Sequence, residues 1–255
     1  MKEFLRYFFT EGQTQEFAIF TPAHFAPIIW MIAMIFLIRW KKDAIRNFKH
    51  EVAIRYILAF ALIVSEMAYY WRYTAIPELG GNAISNLPIG VCGWAVILCS
   101  FMMVGKTQSF FDIAYFWLLS GSLVAVLTPT PLNFAGPTRF RFYQFWAEHT
   151  LGYIAIFYMI FVHGMRPNWR SFRRSFISLA VLAVIAYVAN DMIGPGANYL
   201  YMAKPESTPS ILDILPPNHV LRIVIMAAVI TLMFFLSYLP WLMKDRKAKK
   251  TEANV

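Results

Sequence analysis

The chain has 255 residues, 59% of them hydrophobic and 17% aromatic, with a mean hydropathy of +0.52, a composition far from that of soluble globular domains. Its net charge of +9 would suit a nucleic-acid binder, but the basic residues fall in a topological pattern. Fifteen Lys and Arg lie in Arg39–Lys49, at Lys106, in Arg166–Arg174 and in Lys244–Lys250, whereas the N-terminus and the other three loops hold six. Clustering in alternate loops sets nucleic acid aside. By the positive-inside rule it puts the N-terminus outside and the C-terminal tail in the cytoplasm. The same residues can also touch anionic lipid head groups.

Seven apolar stretches follow one another: Thr21–Ile38, Ala53–Tyr70, Leu87–Val104, Phe111–Leu127, Phe145–Val162, Phe176–Asn190 and Val220–Trp241. A hydrocarbon core of about 30 Å takes about 20 helical residues; the sixth stretch is short unless Ser171–Ser175 extends it. The reading is an all-α membrane protein of seven transmembrane helices, N-terminus outside and C-terminus cytoplasmic, in the cell membrane. Residues 1–20 form an extracytoplasmic segment, 21–242 one membrane domain and 243–255 a basic cytoplasmic tail. Glu3, Arg6, Glu11 and Glu16 interrupt any signal-peptide core. No internal repeat is visible, which weakens an inverted-repeat transporter.

On this topology the polar residues of five helices share one layer near the outer face. His24 lies just inside the first span. Glu66, Tyr69, Tyr70 and Tyr73 lie in the outer third of the second, at offsets that place them on one helical face. Cys92 falls roughly 7 Å below the outer end of the third span at 1.5 Å per residue. Glu148 and His149 sit at the mouth of the fifth, and Asn190-Asp191 ends the sixth. Ionisable groups inside a bilayer are costly and face a bundle interior, a partner or a water-filled cavity. The competing reading for the aromatics is an interfacial belt, for Glu148 solvation among the head groups, and for Asn190-Asp191 followed by Gly194-Pro195-Gly196 a helix stop.

The chemistry available to this layer centres on Cys92. A thiolate is a strong nucleophile, and a nearby imidazole favours its formation; Cys92 and His149 share a depth on helices that both start outside. Such a pair can hold an acyl group as a thioester, with Glu66 or Asp191 orienting the imidazole. Cys99, two turns deeper, reads as packing, and the pair is too far apart along a helix for a disulfide. The five His show no metal-ligand spacing, so neither a metal nor any other cofactor is expected. The last span lacks the lysine that a retinal Schiff base needs, and paired haem ligands are met only loosely by His24 and His149.

The motifs resemble a known family. Leu87-Pro88-Ile89-Gly90-Val91-Cys92 is similar to the L-P-x-x-x-C signature of the YwaF-type integral membrane proteins, whose animal relatives are called transmembrane protein 164. Phe145-Trp146-Ala147-Glu148-His149 matches that family's F-x-x-x-H segment. Asn198-Tyr199-Leu200-Tyr201 with Lys204-Pro205 looks like its N-Y-L-Y-x-x-x-P stretch, and the Ser65-Glu66 and Thr128-Pro129 neighbourhoods also fit. The resemblance implies cysteine-dependent acyl transfer on phospholipids, with Cys92 as acyl acceptor and His149 as partner. The chain departs from it at Gly90-Val91 before the cysteine, and at Pro216-Pro217-Asn218-His219.

The expectation is therefore a lipid acyltransferase acting on a phospholipid or lysophospholipid. Cys92, His149, Glu66 and Asp191 are its catalytic set; His24, Asn190, Asn198, Tyr199 and Lys204 line the substrate cavity. The alternatives are a binding or transport protein using the same cavity, and a hydrolase with water as acceptor.

Overall fold

The structure, a computed structural model, describes residues 2–79, 81–82, 86–202 and 214–252. Among them the regular structure is helical: α1 (Lys2–Phe9), α2 (Pro22–Trp40), α3 (Lys42–Arg46), α4 (Glu51–Ala75), α5 (Val91–Gly105), α6 (Gln108–Trp117), α7 (Leu123–Leu127), α8 (Phe140–His163), α9 (Trp169–Ile193) and α10 (His219–Glu252). A π-helical turn, Leu118–Ser122, joins α6 to α7, so that Gln108–Leu127 runs as one rod. Six helices are long and apolar enough to cross a membrane: Pro22–Trp40, Glu51–Ala75, Gln108–Leu127, Phe140–His163, Trp169–Ile193 and Val220–Ala248.

The third apolar stretch differs from expectation. Helix α5 starts at Val91 rather than Leu87 and has 15 residues. Pro88 has no N–H and pushes Leu87 out of the helical region, so 87–90 remain non-helical. Cys92 accordingly occupies the first turn of α5 rather than its second. Two other helices outgrow their apolar cores. Asn168 and Ser171 form a capping box that starts α9 at Trp169, and α10 continues through Pro240 so that the basic tail rides on its last turns.

Helix α8 is the axle of the bundle. Its apolar window is 72% buried, against 11% for α9 and for α10, and it packs on α2, α4 and α5. Gly152 lets it approach closely, because a Cβ there would lie 3.1 Å from Leu118. Helices α9 and α10 pack outside this group, on α6 and on the π-helical turn respectively. They turn Ile177, Val181, Val184, Val188, Val224 and Leu232 outward.

At one end of the bundle, called here the basic end, buried acids organise the helix termini. Glu51 accepts hydrogen bonds from Arg55 (3.0 Å) and the Tyr158 hydroxyl (2.8 Å), and its carboxylate lies 2.8 Å from His163 Nε2. Arg55 also donates to the carbonyls of Met103 and Val104, closing the end of α5. Asp112 accepts from Gln108 (2.7 Å) and Ser171 (2.6 Å) and pairs with Arg174. His163, read from sequence as an ordinary flanking residue, thus belongs to a buried network.

At the other, polar end the first 20 residues dock on the loop before α8. Gly12 and Glu16 N–H groups donate to the carbonyls of Phe134 and Asn133, each at 2.8 Å. Arg139 grips the Glu16 carboxylate with Nη2 at 2.6 Å and Nε at 2.9 Å, and its guanidinium lies 3.7 Å from the Tyr7 ring centroid. Buried Arg72 reaches Glu11 at 2.9 Å. The Arg139 hydrogen bonds and charge hold the Glu16 carboxyl below its ordinary value, against the effect of burial. A depressed carboxyl stabilises the docked state fully above its unfolded pKa, about 4.3, and loses that contribution as pH falls through the lower, folded value. Glu16→Gln should therefore cost about 2 kcal/mol of docking, the scale of hydrogen bonds to charged groups, and remove the acid-side loss seen in the wild type. Hydrogen exchange of residues 2–20 between pH 3 and 7 measures both; a wild-type profile flat across that range would count against the pairing.

Candidate functional site at the polar end

The site lies where the end of α4 meets the beginnings of α5 and α8. Helix α8 presents Arg141, Gln144, Phe145 and Glu148 at three- and four-residue spacings, and so on one side. Gln144 Nε2 donates to the Ser65 carbonyl at 2.8 Å and to Glu148 Oε2 at 2.9 Å, and its amide oxygen accepts from Arg141. Arg141 stacks on Tyr69 at 4.7 Å and on Phe145 at 5.6 Å. From α4, Glu66 turns inward, 4% exposed, within electrostatic reach of Glu148 and Arg141 and facing the Tyr70 hydroxyl. Glu66 thus has a second buried carboxyl group, Glu148, and the Arg141 guanidinium within electrostatic reach.

Glu66 lies over the bare backbone of α5. A Cβ added at Gly93 would meet its Oε1 at 2.3 Å, closer than any real contact. One residue earlier stands Cys92, a half-buried residue whose thiol faces the Ser122 hydroxyl at the end of the π-helical turn. That hydroxyl is buried and has no oxygen or nitrogen partner. The thiol also senses Glu66, Glu148, Arg141 and Tyr153 electrostatically, while Tyr153 donates its proton to the Leu118 carbonyl at 2.6 Å. Cys99 is a contrast: fully buried, with its thiol 3.9 Å from the Gly152 carbonyl.

His149 is buried on the α8 axle. Its Nδ1 lies 2.8 Å from the Phe145 carbonyl, and its ring stacks on the Phe145 ring at 4.2 Å. A carbonyl only accepts, so Nδ1 carries the proton and Nε2 of the neutral ring is bare. Nε2 is buried and has no partner. The orienting group is thus a backbone carbonyl; neither Glu66 nor Asp191 hydrogen-bonds to the imidazole. Helices α5 and α8 are packed neighbours, and no hydrogen bond joins Cys92 to His149.

The other sequence candidates fall outside this cluster. His24 is a staple: Nδ1 accepts from the Phe20 N–H at 3.1 Å, so Nε2 donates to the Val126 carbonyl at 3.0 Å. Both ring nitrogens are used, which leaves none for a ligand. Asn190 clamps the backbone of Tyr199 with two hydrogen bonds (2.7 and 3.0 Å), and the Tyr199 hydroxyl accepts from the Leu87 N–H at 2.7 Å. Asn198 opens the 3-10 turn Tyr199–Tyr201. These residues tie the segment after α9 to the lead into α5. Asp191 is exposed at the end of α9, and Lys204 lies outside the described residues.

Sequence reasoning missed Arg141, Gln144 and Ser122 and left Glu148 out of the catalytic set, with solvation as a competing reading, although it is 7% exposed. The spacing Arg141, Gln144, Glu148 was a readable signal on one helical face; the position of Ser122 depends on the π-helical turn and left none. Among the described residues no three His, Cys, Asp or Glu side chains converge as metal ligands. An open apolar groove of about 530 Å³ between α2 and α8 is lined by Ala23, Ala26, Trp30, Phe142, Trp146 and Leu151 and includes neither Cys92 nor His149.

The Glu66–Gly93 contact is testable. Gly93→Ala should destabilise the protein by about 1–3 kcal/mol, the cost of overpacking, although Gly→Ala in an unconstrained helix stabilises. In a Glu66→Ala background most of that loss should vanish, giving strong non-additivity in a double-mutant cycle read by thermal unfolding in detergent. Additive effects would mean that the two residues do not touch.

Comparison with known proteins agrees with this architecture. The chain is 30% identical over 164 residues to an uncharacterized protein of Treponema pallidum (strain Nichols), a match covering 64% of this chain and 66% of that protein. No solved structure matches it. Residues 19–238 match the TMEM164 family. With that match over most of its length, and with six helices of membrane-crossing length, the chain is a multi-pass integral membrane protein and belongs to the TMEM164 family.

Proposed function

We propose that the protein is a lipid acyltransferase that carries the acyl group on Cys92. The observation that carries this reading is the pairing of environments at the polar end. A cysteine that is less enclosed than Cys99 stands in the first turn of α5, and a buried imidazole with a bare, unpartnered Nε2 stands on the adjacent helix. His149 Nε2 removes the thiol proton, directly or through one water, as catalytic contacts in an apo site are often loose. The sulfur attacks the ester carbonyl of a phospholipid, forming a C–S bond; the C–O bond breaks, and the departing alkoxide takes the proton back from the imidazolium. In the second half-reaction His149 takes the proton of a lysophospholipid hydroxyl as its oxygen attacks the thioester; a C–O bond forms, the C–S bond breaks, and the imidazolium returns the proton to the Cys92 thiolate.

The first-turn amides of α5 have no intrahelical acceptors and are suited to receive the oxyanion of each tetrahedral intermediate. Glu66, Glu148 and Arg141 set the field around the sulfur. With water as acceptor the same steps give a hydrolase. A binding or transport protein would use the same cavity with no covalent intermediate.

The bundle crosses the membrane seven times in this proposal, with the polar end and N-terminus outside. Fifteen helical residues of α5 rise about 22 Å, and the non-helical lead 87–90 adds up to about 13 Å, enough for the hydrocarbon core. The basic loops then face anionic lipid head groups in the cytoplasm.

Cys92 and Cys99 supply an internal control. Incubation with an acyl donor should leave a hydroxylamine-sensitive acyl adduct on Cys92 alone, detected by mass spectrometry of the intact protein. Cys92→Ala should abolish adduct and turnover, Cys99→Ala should leave both nearly intact, and His149→Ala should slow acylation about 100-fold. Full turnover in Cys92→Ala would remove Cys92 as the nucleophile, and a wild type with neither adduct nor turnover would favour the binding reading.

Orientation is tested separately. In a cysteine-free variant, Asn82→Cys should react with membrane-impermeant maleimide added to intact cells, and Lys247→Cys only after permeabilisation. The reverse pattern would invert the topology.

A further inference from the structure

Arg222 is the feature of the polar end that the acyl-transfer chemistry does not use. It lies near the start of α10 and is 1% exposed. Its Nε–H donates to the Tyr201 carbonyl at 2.9 Å, while Nη1 and Nη2 are buried with no partner. A guanidinium stays charged inside a protein, and burying a charge without a counter-group is strongly unfavourable. Each of the other three buried arginines has an acid: Arg72 has Glu11, although its Nε and Nη1 are without partners. Arg139 has Glu16, and Arg55 has Glu51 and two carbonyls. No carboxylate among the described residues pairs with Arg222.

Among the described residues, the surroundings hold this side chain in place rather than neutralise it. Leu200 and Tyr201 both adopt φ of 56°, the left-handed region that non-glycine residues rarely enter. That turn presents the Tyr201 carbonyl to Nε. The same turn is fixed by Asn190 on the Tyr199 backbone and by the Leu87 N–H on the Tyr199 hydroxyl. One three-residue turn therefore links Arg222 to the lead into the Cys92 helix. Asn218 caps the start of α10 by accepting from the Leu221 N–H, and that helix end favours negative charge. With Nε occupied, the two terminal nitrogens remain as a planar fork.

We infer that the Arg222 fork seats a phosphate, that of a glycerophospholipid or lysophospholipid whose acyl end reaches the Cys92 cluster. A phosphate diester offers two anionic oxygens to Nη1 and Nη2, the bidentate geometry for which a guanidinium is suited and an ammonium is not. The polar end, where α4 finishes and α5, α8 and α10 begin, lies at one end of the membrane-crossing helices, where head groups would meet it. The assignment rests on the acyl-transfer reading only for the acyl end; the phosphate seat is independent of it.

The test is binding to the full chain in a nonionic detergent, read by thermal shift, with lysophosphatidylcholine, a monoacylglycerol of equal chain length and inorganic phosphate as probes. The lysophospholipid should stabilise wild type and Cys92→Ala alike, and the monoacylglycerol should not. Arg222→Lys, which keeps the charge and loses the fork, should weaken lysophospholipid binding about tenfold, and Arg222→Gln about a hundredfold. If inorganic phosphate alone stabilises at comparable concentration, the seat stands and its ligand is a soluble phosphate. Undiminished lysophospholipid binding by folded Arg222→Lys would overturn the proposal. So would Glu206→Gln or Asp213→Asn matching the destabilisation of Arg222→Gln without adding to it, since the fork would then be satisfied within the chain. Loss of binding in Arg222→Lys with an intact Cys92 acyl adduct separates the two readings, as does the converse.

Discussion

A charged or polar side chain carried into hydrocarbon has no water to satisfy it and must be met by another group of the protein. That constraint organises this bundle. The contact faces of α4, α5 and α8 are joined by polar pairs at both ends: Glu51 with Arg55 and Tyr158 at one, and Ser65, Gln144 and Glu148 with Arg141 at the other. Between them the contact is close and mostly apolar, through Cys99, Val96 and Gly152, with one buried hydrogen bond from the Ser100 hydroxyl to the Ala59 carbonyl. Helices α9 and α10 carry few such groups and lie outside. Where α9 does carry them, at Ser171 and Arg174, they are used to reach Asp112. Docking of the N-terminal segment obeys the same rule, since Arg72 and Arg139 are buried and their acids come from Glu11 and Glu16.

The helices were legible because hydrocarbon thickness imposes a length on apolar stretches, and six of the seven stretches became helices of that length. The start of α5 was not read correctly because hydropathy ignores backbone chemistry: Leu87, Pro88 and Ile89 score as span, while the proline stops the helix short of them. The gathering of Glu66, Cys92 and His149 near one end was also legible, since depth follows from counting residues along alternating helices. Their partners were not. Depth says nothing of rotation, and the groups that hold His149 and His24 are backbone carbonyls, which look alike in any sequence. Glu51 and Asp112 escaped notice because acids at helix ends are ordinary in sequence; only packing shows that they are hubs.

Local accessibility distinguishes the two cysteines more clearly than chemistry does. Both belong to α5. Cys99 is enclosed beside Gly152, whereas Cys92 stands in the first turn, where the helix has just emerged from its non-helical lead and Gly93 leaves the backbone bare. Glu66 occupies the space that a larger residue at 93 would fill. The site is thus shaped as much by missing side chains as by those present.

The π-helical turn Leu118–Ser122 has a consequence for how relatives are compared. Such a turn accommodates one extra residue in an α-helix, and one residue of a helix corresponds to about 100° of rotation. Here it frees the Leu118 carbonyl for Tyr153 and brings Ser122 round to Cys92. A relative lacking that one residue keeps the helix and its apolar character but turns everything beyond it onto another face. Positional correspondence therefore holds up to residue 117 and must be re-established by geometry from 123 onward, and the residue facing the cysteine in such a relative is a matter of chain length before it is one of residue type.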